Sequence, residues 1–114
     1  MKDEIYLEGL VLHSPDIDAL RAFYEALLGI KFNEKKHEDG RRHYLGQHGD
    51  GVFIDLYPSR EASRSPHLIM NVSDLEGMLK RVSAFTQNKV EPIPPLGAMI
   101  CDPDGRLIYL HRRS

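Results

Sequence analysis

The sequence predicts an α+β fold built from two copies of one β-α-β-β-β unit, and three observations carry that reading. Two stretches, "LEGLVLHSPDIDAL" (Leu7 to Leu20) and "PHLIMNVSDLEGM" (Pro66 to Met78), share one order. Each runs from alternating apolar residues through a serine-containing turn to an acidic residue and apolar positions at helical spacing. The matched positions also keep one offset: Asp16/Asp74, Ile17/Leu75, Asp18/Glu76 and Leu20/Met78 are each 58 residues apart. A strand-like triplet recurs late in each copy, Ile54-Asp55-Leu56 and Ile108-Tyr109-Leu110, at an offset of 54. A repeat of about 55 residues with this content is one supersecondary unit used twice.

The elements follow in order. Ile5 to Leu12 reads as a strand, with Leu10 and Leu12 on one side and Gly9 and Val11 on the other. Ser14-Pro15-Asp16 ends it. Asp16 or Asp18 opens a helix whose buried stripe is Ile17, Leu20, Phe23, Tyr24, Leu27 and Leu28, and Gly29 closes it. Three strands follow, Ile30 to Lys35, Arg42 to Gln47 and Gly51 to Tyr57, divided by an Asp39-Gly40 hairpin signal and a looser His48-Gly49-Asp50-Gly51 turn. The polar stretch Pro58 to Pro66, "PSREASRSP", reads as a linker. The second copy holds a strand from Pro66 to Val72 and a helix from Asp74 to Phe85 on Leu75, Met78, Leu79 and Val82. A poor strand from Lys89 to Ile93 runs into Pro94-Pro95. Strands Gly97 to Cys101 and Arg106 to His111 flank the "DPDG" turn, Asp102 to Gly105. The chain is therefore expected to be a single domain over residues 1–114, with module one at about 4–58, a linker at about 59–65 and module two at about 66–112.

Composition excludes several function classes. With 114 residues, 41% apolar and 28% charged, the chain has the make-up of an ordinary globular domain. A net charge of −2 gives no general attraction to nucleic acid or anionic lipid, and no nucleic-acid motif is present. No apolar run approaches the roughly 18 residues of a membrane span, and the start "MKDEIYLEG" has no apolar signal core. A cytoplasmic protein is expected. The single cysteine, Cys101, cannot form an internal disulfide, and its place in "AMIC" reads as an inert core thiol. There is no phosphate loop, CxxC, HExxH or GxSxG.

"SPDIDALRAFYEALLGIKF", "PHLIMNVSDLEGM" and "CDPDGRLIYLHRR" together resemble the glyoxalase/bleomycin resistance protein/dioxygenase family, the vicinal oxygen chelate superfamily. The resemblance runs from Tyr6 to His111. It implies two βαβββ modules forming a cup-like open barrel with helices outside. In many members two chains pair or exchange modules, so a homodimer is the expected assembly.

With the helix side of each strand apolar, the other side faces the cup. That assigns Gly9, Val11, His13, Phe53, Asp55 and Tyr57 from module one, and His67, Ile69, Asn71, Leu107, Tyr109 and His111 from module two. Polar and aromatic groups among apolar ones suit a small organic molecule, and Val11, His13, Asp55, Tyr57, His67, Asn71 and Tyr109 are the expected ligand-binding residues. His43 and His48 read as rim or surface residues, and His67 as the natural partner of Asp55.

Metal-using relatives place four ligands at positions that correspond here to Gly9, Asp55, His67 and Tyr109. His67 and Asp55 are suitable donors; Gly9 has no side chain and Tyr109 is an uncommon ligand. A slip of one residue would bring Glu8 into the place of Gly9. The expected function is therefore small-molecule binding in the cup without the usual four-ligand metal site. The alternative is a glyoxalase-like lyase or isomerase, or a dioxygenase-related enzyme, using a divalent metal (Ni, Zn, Mn or Fe) at His67 and Asp55. An interaction module with a filled cup is a third reading.

Overall fold

The same capping event starts the helix of each unit. The Asp16 carboxylate accepts the Ala19 backbone N–H at 3.1 Å and opens α1 (Ile17–Leu28), while the Asp74 carboxylate accepts that of Gly77 at 3.0 Å and opens α2 (Leu75–Val82). Gly29 closes α1 in the left-handed region, φ 67°, with its N–H on the Glu25 carbonyl at 2.9 Å. The structure, a computed structural model, describes residues 5, 7–49, 51–84, 90–94 and 97–112.

Around α1 the first unit forms β1 (Gly9–Ser14), β2 (Asn33–Lys36), β3 (Arg42–Gln47) and β4 (Phe53–Pro58), in the sheet order β1-β4-β3-β2. Around α2 the second forms β5 (Leu68–Asn71), β6 (Glu91–Ile93), β7 (Gly97–Cys101) and β8 (Leu107–His111), in the order β5-β8-β7-β6. The first and last strands of each unit pair in parallel and the others antiparallel, so both sheets are mixed. This is the expected α+β architecture of two βαβββ modules. The sheets form an open, cup-like arrangement and are not closed into a barrel.

Strand parity decides what is buried. In module one, Leu12, Tyr44, Ile54 and Leu56 pack with Leu20, Phe23, Tyr24 and Leu27 of α1. In module two, Leu68, Val72, Ile100, Ile108 and Leu110 pack with Met78 and Val82 of α2. All belong to one continuous core, because α1 and α2 also pack against each other. The opposite face of each sheet, here the open face, carries the remaining side chains. It leaves Val11, Ile69 and Leu107 exposed.

Polar contacts lock the two units together. The fully buried Arg106 guanidinium pairs with the Asp102 carboxylate and donates to the carbonyls of Ser65 at 3.0 Å and His13 at 3.2 Å. Ser14 Oγ donates to Asp104 Oδ1 at 3.1 Å. Arg81 of α2 donates to the carbonyls of Ala26 at 2.8 Å and Leu27 at 3.2 Å, where the C-terminal end of α1 favours a cation.

Several boundaries differ from the sequence expectation. β2 begins at Asn33 rather than Ile30, because the buried Phe32 and half-buried Ile30 turn into the core before pairing begins. β1 begins at Gly9, β4 reaches Pro58 and α2 ends at Val82. Phe85 and Lys89, the expected ends of the second helix and the following strand, lie outside the described residues. Cys101 is half-buried on the open face and not in the core, since Ala98 and Ile100 hold the core parity of β7.

Candidate functional site on the open sheet faces

The open face of the first sheet is built by three neighbouring strands. Parallel register sets Val11 beside Asp55 and His13 beside Tyr57 across β1 and β4. Antiparallel register sets Leu45 beside Asp55 across β3 and β4, which brings His43 opposite Tyr57 and diagonal to Asp55. Asp55 Oδ1 and His43 Nδ1 form a hydrogen bond. His43 is buried at 8% exposure, while Asp55 and Tyr57 are half-buried and Val11 and His13 exposed.

Rings cover much of this face. The His43 ring lies flat on Tyr57, with centroids 4.3 Å apart and planes 10° apart. His37, from the β2–β3 hairpin, stacks on His43 at 4.9 Å, and its Nε2 lies 3.3 Å from the Tyr57 hydroxyl. His13 sits at 6.3 Å from Tyr57. A carboxylate drawn partly out of water needs a partner, and the imidazole of His43 supplies it to the half-buried Asp55 within one strand pair.

Two expectations are corrected here. His43 is not a rim residue but the most buried polar group of this face. The partner of Asp55 is His43 and not His67, since β3 is hydrogen-bonded to β4 whereas His67 belongs to the other sheet. The alternation of Arg42 to Gln47 held the missed signal. With Tyr44 on the helix face, His43 had to lie on the open one.

The open face of the second sheet carries the other expected residues. Ile69 is in register with Tyr109, and Asn71 with His111. Tyr109 stacks on His111 at 5.5 Å. His67 is exposed just before β5, and with Arg64, Cys101, Gly105 and Leu107 it lines a cavity of about 420 Å³. A larger cavity of about 550 Å³ lies between the modules, walled largely by helix-side residues such as Leu10, Ile54, Leu68 and Met78.

The donor set can be compared with the four-ligand metal pattern. β1 and β4 pair in unbroken register from Gly9 to Ser14, so no bulge moves Glu8 into the place of Gly9. Gly9 offers no side chain, and a Cβ there would stand 3.3 Å from Phe53 Cβ. The Asp55 carboxylate is already engaged by His43, and Tyr109 and His67 lie on the other sheet. Among the described residues, no three His, Cys, Asp or Glu side chains cluster to hold an ion.

Comparison with known proteins agrees with the architecture. The chain superposes on Oxidase ChaP-H2 with a TM-score of 0.77 and 20% identity, over 96% of this chain and 94% of that one. It superposes on the fosfomycin resistance protein FosX from Mesorhizobium loti with a TM-score of 0.74 and 16% identity, over 100% and 94%. For FosX from Listeria monocytogenes, complexed with Mn(II) and 1S,2S-dihydroxypropylphosphonic acid, the TM-score is 0.77 and the identity 14%, over 96% and 93%. At these identities the likeness is one of fold. None of the curated proteins matches the sequence. The sequence model of the Glyoxalase/Bleomycin resistance protein/Dioxygenase superfamily matches residues 7–108, nearly the whole chain. The chain belongs to the glyoxalase/bleomycin resistance protein/dioxygenase superfamily.

Proposed function

We propose that this protein binds a small organic molecule against the open face of the first sheet, without the four-ligand metal set of its superfamily. The single observation that carries this reading is the His43–Asp55 pair: the carboxylate at a family ligand position is spent on an imidazole. Gly9 at a second ligand position supports it. Val11, His13, Asp55, Tyr57, His67, Asn71 and Tyr109 remain the proposed contacts, the first four from one face and the last three from the other. One chain keeps these faces on separate sheets. The proposed assembly is a homodimer in which the open face of one module is covered by a module of a second copy, forming the cup. Exposed Val11, Ile69 and Leu107 would then be buried. No described helix is long and apolar enough to cross a membrane, and a cytoplasmic location is proposed from the cysteine usage, one cysteine in 114 residues.

A second reading is favoured by the Mn(II) complex among the structures of like fold. In it, His67 and Asp55 from two chains hold a divalent ion for lyase or isomerase chemistry. Elemental analysis separates the two. Protein reloaded with Ni, Zn, Mn and Fe and then desalted is expected to retain well under one ion per chain, and small aromatic ligands are expected to raise the Tm in the presence of chelator. Retention of about one ion per chain, lost in His67→Ala, would overturn the metal-free reading.

A further inference from the structure

The cavity of about 550 Å³ between the modules is walled from the helix side of the sheets, and Asp55, Tyr57, His67 and Tyr109 do not line it. Of the proposed open-face contacts, Asn71 alone also borders it. Its size is that of a small-molecule site, and its walls are largely apolar. Leu10 and Ile54 come from the first sheet, Leu68 and Met70 from the second, Leu28 from α1 and Met78 from α2. An apolar body suits such walls, because water finds few hydrogen bonds there.

The polar groups are set at the ends of one stripe. Asp74, Met78 and Arg81 follow one another along the side of α2 that borders the cavity, four and then three residues apart. The stripe spans seven residues of helix, about 10 Å. Asp74 Oδ1 accepts the Gly77 N–H at 3.0 Å, so this carboxylate is turned into the helix it caps. Arg81 donates through Nε and Nη2 to the carbonyls of Ala26 at 2.8 Å and Leu27 at 3.2 Å. These two bonds hold the guanidinium at the cavity wall. Among the described residues no carboxylate pairs with it and none bonds Nη1. A fixed cation without a carboxylate partner, beside an apolar cavity, is complementary to an anionic head on an apolar body.

We propose that this cavity is a second binding site, for a free monocarboxylic acid with a slender apolar chain. The carboxylate accepts from Arg81 Nη1, and the chain lies along Met78 between the two sheets. Binding is non-covalent, and it does not depend on what the open faces hold.

The probes are octanoate, decanoate and 1-octanol, titrated calorimetrically into the full chain. Saturable octanoate binding is expected, with 1-octanol about tenfold weaker for want of the charge. Decanoate should bind about tenfold tighter than octanoate, since it buries two further CH₂ groups. Spectra of methyl-labelled methionine locate the site. Octanoate should shift Met70 and Met78, which line the cavity, and not Met99, which lies on the open face in register with Tyr109. Arg81→Met keeps the stem and removes the charge. It should weaken octanoate about tenfold and leave 1-octanol unchanged, whereas a loosened fold would weaken both. Arg81→Lys should recover part of the loss, and Val52→Trp, which fills the cavity, should abolish binding of both. Equal binding of octanoate and 1-octanol, unchanged octanoate binding in Arg81→Met, or no shift at Met70 and Met78 overturns the proposal. A shift at Met99 alone places the acid on the open face, which overturns this site and leaves the open-face reading standing. Octanoate binding that appears only on dilution to monomer assigns the cavity to a second copy of the chain and equally overturns it.

Discussion

The hydroxyl of Tyr24, on the helix of the first module, donates to Asp102 Oδ2 in the last hairpin of the second at 2.7 Å, with both groups buried. The two residues are 78 positions apart, and their bond is the centre of the polar lock between modules. Asp102 Oδ1 accepts the backbone N–H groups of Asp104 and Arg106, and Oδ2 serves Tyr24 and Arg106. Burial, with the Asp102 charge beside it, pushes the Tyr24 hydroxyl well above its ordinary range. Tyr24→Phe is expected to cost about 1–3 kcal/mol in urea unfolding, because it removes a donor from a buried acceptor. The sign with pH follows. A raised folded pKa gives stability that is present below about pH 10 and lost as pH rises beyond it. Alkaline destabilisation should therefore be steeper in the wild type than in Tyr24→Phe.

Asp104 lies beside Asp102 in the last hairpin, its backbone N–H on the Asp102 carboxylate at 2.9 Å. Burial raises its pKa, the Ser14 hydroxyl works against that, and its Oδ2 is buried without a hydrogen bond. Its charge therefore costs the folded state, and its contribution to stability falls as pH rises from about 4 through the raised value. Asp104→Asn keeps an acceptor for Ser14 and should leave stability at pH 7 within about 0.5 kcal/mol of the wild type or above it. Asp102→Asn strands the fully buried Arg106 and should lose about 3–5 kcal/mol. Equal losses in the two variants would contradict this division of roles.

Gly46 in β3 has no room for a side chain. A Cβ there would stand 2.8 Å from the buried Phe32 ring. Gly46→Ala is expected to destabilise by about 1–3 kcal/mol through overpacking, measured by chemical unfolding. The double variant with Phe32→Leu should recover part of the loss.

Ile69 is 74% exposed on the edge strand β5. If a second copy covers this face, Ile69→Lys should shift the protein from dimer to monomer in analytical ultracentrifugation at micromolar concentration and leave the circular dichroism spectrum unchanged. A wild type that sediments as a monomer would refute the dimeric cup.

The sequence by itself determined the architecture. Asp16 and Asp74 cap equivalent helices, Gly29 ends the first, and parity sorts Leu10, Leu12, Leu68 and Met70 from Val11, His13, Ile69 and Asn71. These are local effects of backbone geometry and side-chain alternation, so they repeat wherever the pattern repeats. Only the tertiary structure decided which side chains meet. His43 and Asp55 become partners because β3 lies beside β4, Tyr24 and Asp102 because the modules dock through their helices and last hairpin, and Asp55 and His67 lie on different sheets for the same reason. A strand's own residues fix its two faces, but its neighbours are chosen by the packing of the whole chain, and the identity of a polar pair depends on that choice.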